Sequence, residues 1–311
     1  MTGGAGRLAD PAVAAWRQRW DRTGWCVAEG VIPPADLAAA QADLGRFFPS
    51  AEEFAADRDP ERNRPLRTSG DAVVHRFPFE SGAVNHLVMH DRLVELAERL
   101  LGTGDIRLYQ GLLTAKYSEG APDYEQLLHA DYGNHTVVVP RHEVGYQQMT
   151  MFVYLTDVTA DTAATRMVPL SLTSDIPVER TYLGLDDYRH LYEAEVPAEG
   201  PAGSVLCYRP DTYHRGVGMA APAAARFVLH VAFKPAGTEW LGYQSWPAAA
   251  EALAWHRYVN RASLRQLVLL GFPEPGHPYW TERTLAGVSA RYPRVDMTPW
   301  REGLEGGGGG R

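Results

Sequence analysis

The chemistry of this 311-residue chain is most legible at His129-Ala130-Asp131. Residues two apart in a strand point to the same side, so an imidazole and a carboxylate at this spacing can bind one metal ion together. Alone the triplet is a weak signal, because eleven His and 38 acidic residues in 311 positions make about one His-x-Asp/Glu expected by chance. Its context strengthens it. The segment 203–216, Gly-Ser-Val-Leu-Cys-Tyr-Arg-Pro-Asp-Thr-Tyr-His-Arg-Gly, reads as an apolar strand, a polar turn and then His214. His129, Asp131 and a distal histidine would form a two-histidine, one-carboxylate facial triad, the donor set that leaves open positions on a non-haem Fe(II). Arg226 follows in the next strand-like run, where a guanidinium offers a bidentate partner for a carboxylate of a metal-chelating cosubstrate. A phosphate-binding GxxxxGK[ST] loop, a GxGxxG turn, a GxSxG elbow and an HExxH helix are all absent.

Elements must bring these residues together across a long stretch of chain. Three helices are predicted first. Asp10-Pro11 opens one with Val13, Trp16 and Trp20 on a face; a second follows Pro33-Pro34 with Leu37, Leu44 and Phe47; a third starts near Asp91 and stops at Gly102. From Ile106 the texture changes to short β-rich runs at 106–117, 136–140, 147–158, 204–209 and 226–234, separated by Gly, Pro and Asp. In the last run Arg226, Val228, His230, Ala232 and Lys234 share one face. Close-spaced strands without intervening helices indicate an antiparallel sandwich or barrel. After Trp246 the helical spacing returns. The metal residues must meet inside one barrel, so the expectation is a single domain over 1–305, with its core at about 105–235.

Composition excludes several classes. With 45% hydrophobic and 22% charged residues the chain is an ordinary globular one, and its formal charge of −8 opposes attraction to nucleic-acid phosphates or anionic lipid. The two cysteines, Cys26 and Cys207, are too few for a disulfide framework or a thiolate zinc site, and Cys207 reads as a buried packing residue. The amino terminus lacks a secretion signal and no apolar run is long enough to cross a bilayer, so a cytoplasmic protein is expected. The glycine run at 306–310 is expected to be a disordered tail, 306–311.

Taken together these motifs resemble the phytanoyl-CoA dioxygenase family of Fe(II)/2-oxoglutarate oxygenases. The resemblance is carried by His129 and Asp131, the Gly-Ser-Val-Leu-Cys-Tyr block ending at His214, and Arg226 at the family's interval. Thr23-Gly24-Trp25-Cys26-Val27 and Tyr154-Leu155-Thr156-Asp157-Val158-Thr159 add to it. It implies a double-stranded β-helix: mainly β, a cupin-like jelly roll with N-terminal and C-terminal helical additions. It also implies Fe(II) on His129, Asp131 and His214, 2-oxoglutarate held by Arg226, and O2 as the oxidant. Hydroxylation of a C–H bond of a small organic molecule, with release of succinate and CO2, would follow; Asp131 favours it, or a related desaturation or cyclisation, since halogenating relatives carry a small residue there. Lys116 and Thr150 lie in strands that should flank the iron, and relatives often place a polar cosubstrate contact in such strands; a snorkelling surface lysine is the other reading of Lys116. Tyr132, Asn134, His135, Arg141, His142 and Arg215 could line the substrate entrance. The chain departs from the family at Thr162-Ala163 and Pro169-Leu170-Ser171-Leu172, where Asn-Gly and Pro-Gly-Ser-His are common, and in its aromatic, Pro-rich segment 271–280. A cupin-type metalloenzyme without 2-oxoglutarate, or a metal-free jelly-roll binding module, are the competing expectations.

Overall fold

The computed structural model describes residues 6–68, 73–120, 125–138, 147–177 and 180–306. Its first helix, Asp10–Thr23, has Asp10 and Pro11 in the first turn and ends at Gly24, whose φ of 83° is left-handed. A Cβ there would lie 2.4 Å from the Thr212 hydroxyl, so both backbone conformation and close approach require glycine. The helix after Pro33 runs only Pro34–Ala42; Leu44 and Phe47, expected on its face, belong to a tighter turn at Leu44–Arg46 and its end. The helix Asp91–Leu101 stops at Gly102 in the left-handed region.

Eleven strands are described: β1 (Trp25–Ala28), β2 (Val74–Arg76), β3 (Ile106–Tyr117), β4 (Leu128–His129), β5 (Met149–Tyr154), β6 (Arg166–Met167), β7 (Tyr182–Leu183), β8 (Val196–Pro197), β9 (Val205–Tyr208), β10 (His214–Arg215) and β11 (Ala225–Pro235). They pair antiparallel into a major sheet, β1-β9-β5-β11-β3-β2, and a minor sheet, β7-β4-β10-β6-β8. Two antiparallel sheets with flanking helices are the jelly-roll class that the strand spacing predicts. The run at 136–140 differs. Tyr132–His135 is a short helix and Thr136 makes only an isolated bridge to Leu241, while residues 139 and 140 lie outside the described part.

Alternation decides which face does what. Phe227, Leu229, Val231 and Phe233 of β11 join Met149, Met151 and Val153 of β5 in the main core, against Leu93, Leu96, Ala97 and Leu100 of the Asp91–Leu101 helix. Each fully buried aliphatic or aromatic side chain there contributes ~1.5–3 kcal/mol. Arg226, Val228 and His230 face the minor sheet instead. A smaller cluster, including Trp25, Tyr154, Leu206, Met167 and Val228, packs between the sheets.

The segment 271–280 lies on the helix side. Trp280 and Trp300 both donate their indole N–H to the Pro273 carbonyl, at 3.0 and 2.8 Å, and both rings are buried in the main core. No residue of this segment lines the cavity described next; it packs on the C-terminal helical part, with Phe272 beside Tyr292 and Trp280 beside Trp300. Of the expected tail, Gly306 is the last residue of the helix Thr298–Gly306, and the rest lies outside the described residues.

Candidate metal centre

Strand β10 lies between β4 and β6, and its register sets His214 directly opposite His129. Their rings are 4.5 Å apart between centroids. Tautomers follow from the acceptors they face. The Nδ1 of His129 is 2.9 Å from the Leu127 carbonyl, and that of His214 is 3.0 Å from the Thr212 carbonyl. A carbonyl only accepts, so each Nδ1 carries the proton and each Nε2 presents a lone pair. Both Nε2 atoms converge on Asp131: His129 Nε2 is 3.9 Å from Oδ1 and His214 Nε2 is 3.8 Å from Oδ2. Three ligand atoms from His129, Asp131 and His214 within 4.8 Å of one another fit a facial triad for a divalent metal.

Electrostatics supports that fit. Burial lowers the His214 pKa to about 4, so the imidazole is neutral near pH 7. Burial pushes the Asp131 carboxyl up, but the His214, His135 and His129 imidazoles and the Tyr208 hydroxyl outweigh it, and its pKa is lowered overall. Tyr208 donates to Asp131 Oδ2 at 2.7 Å, and burial next to that carboxylate keeps the phenol protonated. Tyr208 thereby orients the carboxylate. Removing such an outer hydrogen bond typically costs 10- to 100-fold in metal affinity, so Tyr208→Phe is expected to weaken Fe(II) binding by about that factor. Anaerobic competition with a chromogenic chelator measures it; unchanged affinity would show that Tyr208 has no hold on the ligand.

A second group, Asp36, His86 and His90, also brings ligand atoms together. There the tautomer is reversed. The Nδ1 of His90 accepts from the Arg92 N–H, capping the helix Asp91–Leu101, so Nε2 bears the proton and donates to Asp36 at 3.2 Å. That nitrogen is committed to an ion-pair-like hydrogen bond rather than to a metal.

Beside the triad opens a cavity of about 360 Å³, within the size range of small-molecule sites. Inward-facing residues of the major sheet make its floor: Tyr208, Thr150, Phe152, Arg226, His230, Gln110, Leu112, Thr114 and Lys116. Arg226 and Lys116 are register partners on β11 and β3. The Arg226 guanidinium reaches the Ala163 carbonyl, and Lys116 Nζ donates to Val217 O at 2.7 Å. Two cations directly opposite repel each other, so this pair in a cavity wall favours an anion between or above them. Ala163 is held at a φ of 63°, a conformation suited to the glycine that family members often carry there.

The sequence candidates distribute as follows. His129, Asp131, His214, Arg226, Lys116, Thr150, Asn134 and His135 all line the cavity. Thr150 is buried beside the phenols of Tyr109 and Tyr208. His135 is buried, and its Nδ1 lies 2.9 Å from the Tyr109 hydroxyl. Arg215 is placed elsewhere: one position past His214, it points to the opposite side of β10, where Glu195 grips it bidentately at 2.7 and 2.8 Å and Glu125 also contacts it. Arg141 and His142 lie outside the described residues, as does the side chain of Tyr132.

Residues without an assigned role in the sequence also reach the cavity, namely Tyr208, Gln110, His230, Arg76 and Tyr243. Tyr208 alternates with Leu206 on β9, a signal that was available. His230 is half-buried, with its ring centroid 4.0 Å from that of Phe152, and hydrogen bonds Thr114 Oγ1 at 2.9 Å. Burial, reinforced by Arg226, lowers its pKa to about 3. The unfolded chain, with an ordinary His near 6.5, then binds the proton more tightly than the folded one. Its stabilising contribution is full above pH 6.5 and shrinks by about 1.4 kcal/mol per pH unit below it, down to about pH 3. Between pH 7 and 5 the metal-free protein should therefore lose ~2 kcal/mol more than a His230→Gln variant in urea unfolding; equal losses would contradict a His230 held neutral in the fold.

The fold and the donor set define an iron-oxygenase-type jelly roll. A sequence profile of the phytanoyl-CoA dioxygenase family matches residues 20–222, and the chain belongs to that family. Among solved structures it is similar to EctD from S. alaskensis with 2-oxoglutarate and 5-hydroxyectoine, at 18% identity over 78% of this chain and 84% of that one, with a TM-score of 0.55. It is also similar to the epimerase SnoN in complex with Fe3+, alpha ketoglutarate and nogalamycin RO, at 20% identity over 73% and 85% of the two chains and a TM-score of 0.53. The carbocyclase SnoK from nogalamycin biosynthesis aligns at 18% identity over 74% and 85%, with a TM-score of 0.51. At these identities the likeness is one of fold. No curated protein matches by sequence. No helix among the described residues is long and apolar enough to cross a membrane.

Proposed function

We propose that the protein is an Fe(II)/2-oxoglutarate-dependent oxygenase that hydroxylates an unactivated C–H bond of a small organic molecule. The observation that carries this reading is the opposition, across one cavity, of the His129–Asp131–His214 donor set and the cross-strand cation pair Arg226 and Lys116. Iron(II) with 2-oxoglutarate and O2 supplies the oxidising power for C–H cleavage, with succinate and CO2 as co-products. His129 and His214 would hold the metal through Nε2, and Asp131 through a carboxylate that Tyr208 orients. Arg226, with Lys116 beside it, would take the far carboxylate of the oxo acid in a bidentate hydrogen bond. Phe152, Leu112 and His230 line the cavity beside these groups.

An Asp in the triad favours hydroxylation, or a related desaturation or cyclisation, over halogenation, and the names of SnoN and SnoK, epimerase and carbocyclase, describe further outcomes in proteins of this fold. The anaerobic protein, given Fe(II), should develop a weak metal-to-ligand charge-transfer band when 2-oxoglutarate is added. Its absence would sink the reading in favour of a metalloenzyme without an oxo-acid cosubstrate. Succinate release against a panel of small molecules would then identify the substrate.

A further inference from the structure

We infer that the substrate itself carries an anionic group, a carboxylate in the simplest case, and that Arg76 receives it at the open end of the cavity. This rests on the iron and 2-oxoglutarate reading above. β2 is the edge strand of the major sheet, paired with β3 at Val74↔Thr114, His75↔Leu113 and Arg76↔Leu112. Packing fixes which way it faces. The His75 ring sits edge-on to Phe47 and Phe48, with centroids 5.1 and 5.0 Å away, on the helix side of the sheet. Period-two alternation therefore sends Val74 and Arg76 to the cavity side, and both line it.

Arg76 differs from the other cations there. Lys116 and Arg226 are engaged by backbone carbonyls deep in the wall. Arg76 is exposed and, among the described residues, has neither a carboxylate nor a hydrogen-bond acceptor as partner. Most other arginines that line up with an acid are paired, such as Arg107 with Asp105 and Arg209 with Asp211. Charge balance makes the difference meaningful. The cavity wall presents Arg76, Lys116 and Arg226 against one carboxylate, Asp131. A ferrous ion adds positive charge, and a dianionic oxo acid lying on Arg226, Lys116 and the metal still leaves Arg76 uncompensated. Such a residual field concentrates anions at the mouth and steers them inward.

Next to Arg76's partner position on β3, the Gln110 side chain supplies a second anchor. It is buried, it lines the cavity, and among the described residues its Oε1 has no hydrogen-bond partner. A ligand N–H or O–H would satisfy that oxygen. The two side chains together select a small acid with a hydrogen-bond donor beside its anionic group.

Equilibrium dialysis of the full chain, loaded with Mn(II) and 2-oxoglutarate so that no turnover occurs, tests this with two matched probe pairs: N-acetylglycine against its amide, and N-acetylalanine against its amide. Each acid should be retained at least tenfold more tightly than its amide. That preference should collapse in Arg76→Gln and persist in Arg107→Gln, which alters a paired arginine outside the cavity. Equal retention of acids and amides, retention of neither acid, or a preference that survives Arg76→Gln would overturn the assignment. The Fe(II)/2-oxoglutarate charge-transfer band separates the two layers of the reading. A band present in both wild type and Arg76→Gln supports a role for Arg76 in the substrate alone. Loss of the band only in Arg76→Gln would give Arg76 to the oxo acid and overturn the inference, and absence in wild type would remove the reading on which it rests.

Discussion

His214→Ala is expected to lower Fe(II) affinity by more than 100-fold and to remove turnover. His214 is buried, is kept neutral near pH 7, and is aimed by the Thr212 carbonyl so that only Nε2 is available to a metal. A missing outer partner already costs roughly 10- to 100-fold, so losing a primary ligand should exceed that range. The register makes the effect specific. His214 pairs with His129 on one side and Met167 on the other, so its backbone is held by two neighbours and the strand survives the truncation. Loss of the side chain also removes a ring that lies 4.6 Å from that of Tyr208, which makes His129→Ala, at a less enclosed position, the companion variant. Iron content after anaerobic loading and gel filtration reads both. Retention of stoichiometric iron by both variants would show that this donor set is not the metal site.

The pair of variants also shows why the site was legible in the sequence. His129 and Asp131 are two apart, and the His214 block announces a strand followed by a turn; both are local signals that survive without knowledge of the fold. Long alternating runs were legible for the same reason. β3 spans Ile106–Tyr117 and β11 spans Ala225–Pro235, within one residue of their expected limits, because each alternates over many positions. The strands of the minor sheet are two residues long and offer no period to read. They are defined only by their pairing with one another in that sheet.

Contacts that depend on register between distant strands were not legible. Tyr208 meets Asp131 only because β9 lies beside β5 in the major sheet while Asp131 follows β4 in the other. Tyr109 is a sharper case. The pairing of β11 with β3 shifts between Ala232 and Phe233, opposite Gln110 and Leu108, which makes Tyr109 the extra residue of a bulge. A bulge re-aims the side chain it carries, and here it sends the Tyr109 hydroxyl to His135. Alternation alone would have turned Tyr109 away. For Arg215 alternation was informative and pointed away from the site, since a neighbour of His214 in a strand must face the other side; Glu195 accounts for it there.

Arg226→Ala should weaken 2-oxoglutarate binding by roughly 30- to 5,000-fold, the 2–5 kcal/mol cost of truncating one member of a buried, hydrogen-bonded charge pair. The fork of a guanidinium is needed, because two parallel N–H groups match a carboxylate and an ammonium does not; Arg226→Lys should therefore rescue little. Lys116, its cross-strand partner, would remain as a point charge and prevents complete loss. Iron binding should be unchanged in both variants, since Arg226 is not a ligand and the triad is held by the minor sheet. Titrating 2-oxoglutarate into the Fe(II) protein and following the charge-transfer band separates these terms. A band with wild-type midpoint in Arg226→Ala would show that the oxo acid does not use this guanidinium, whereas loss of iron together with the band would mean that the Arg226 contact to Ala163 supports the barrel rather than the cosubstrate.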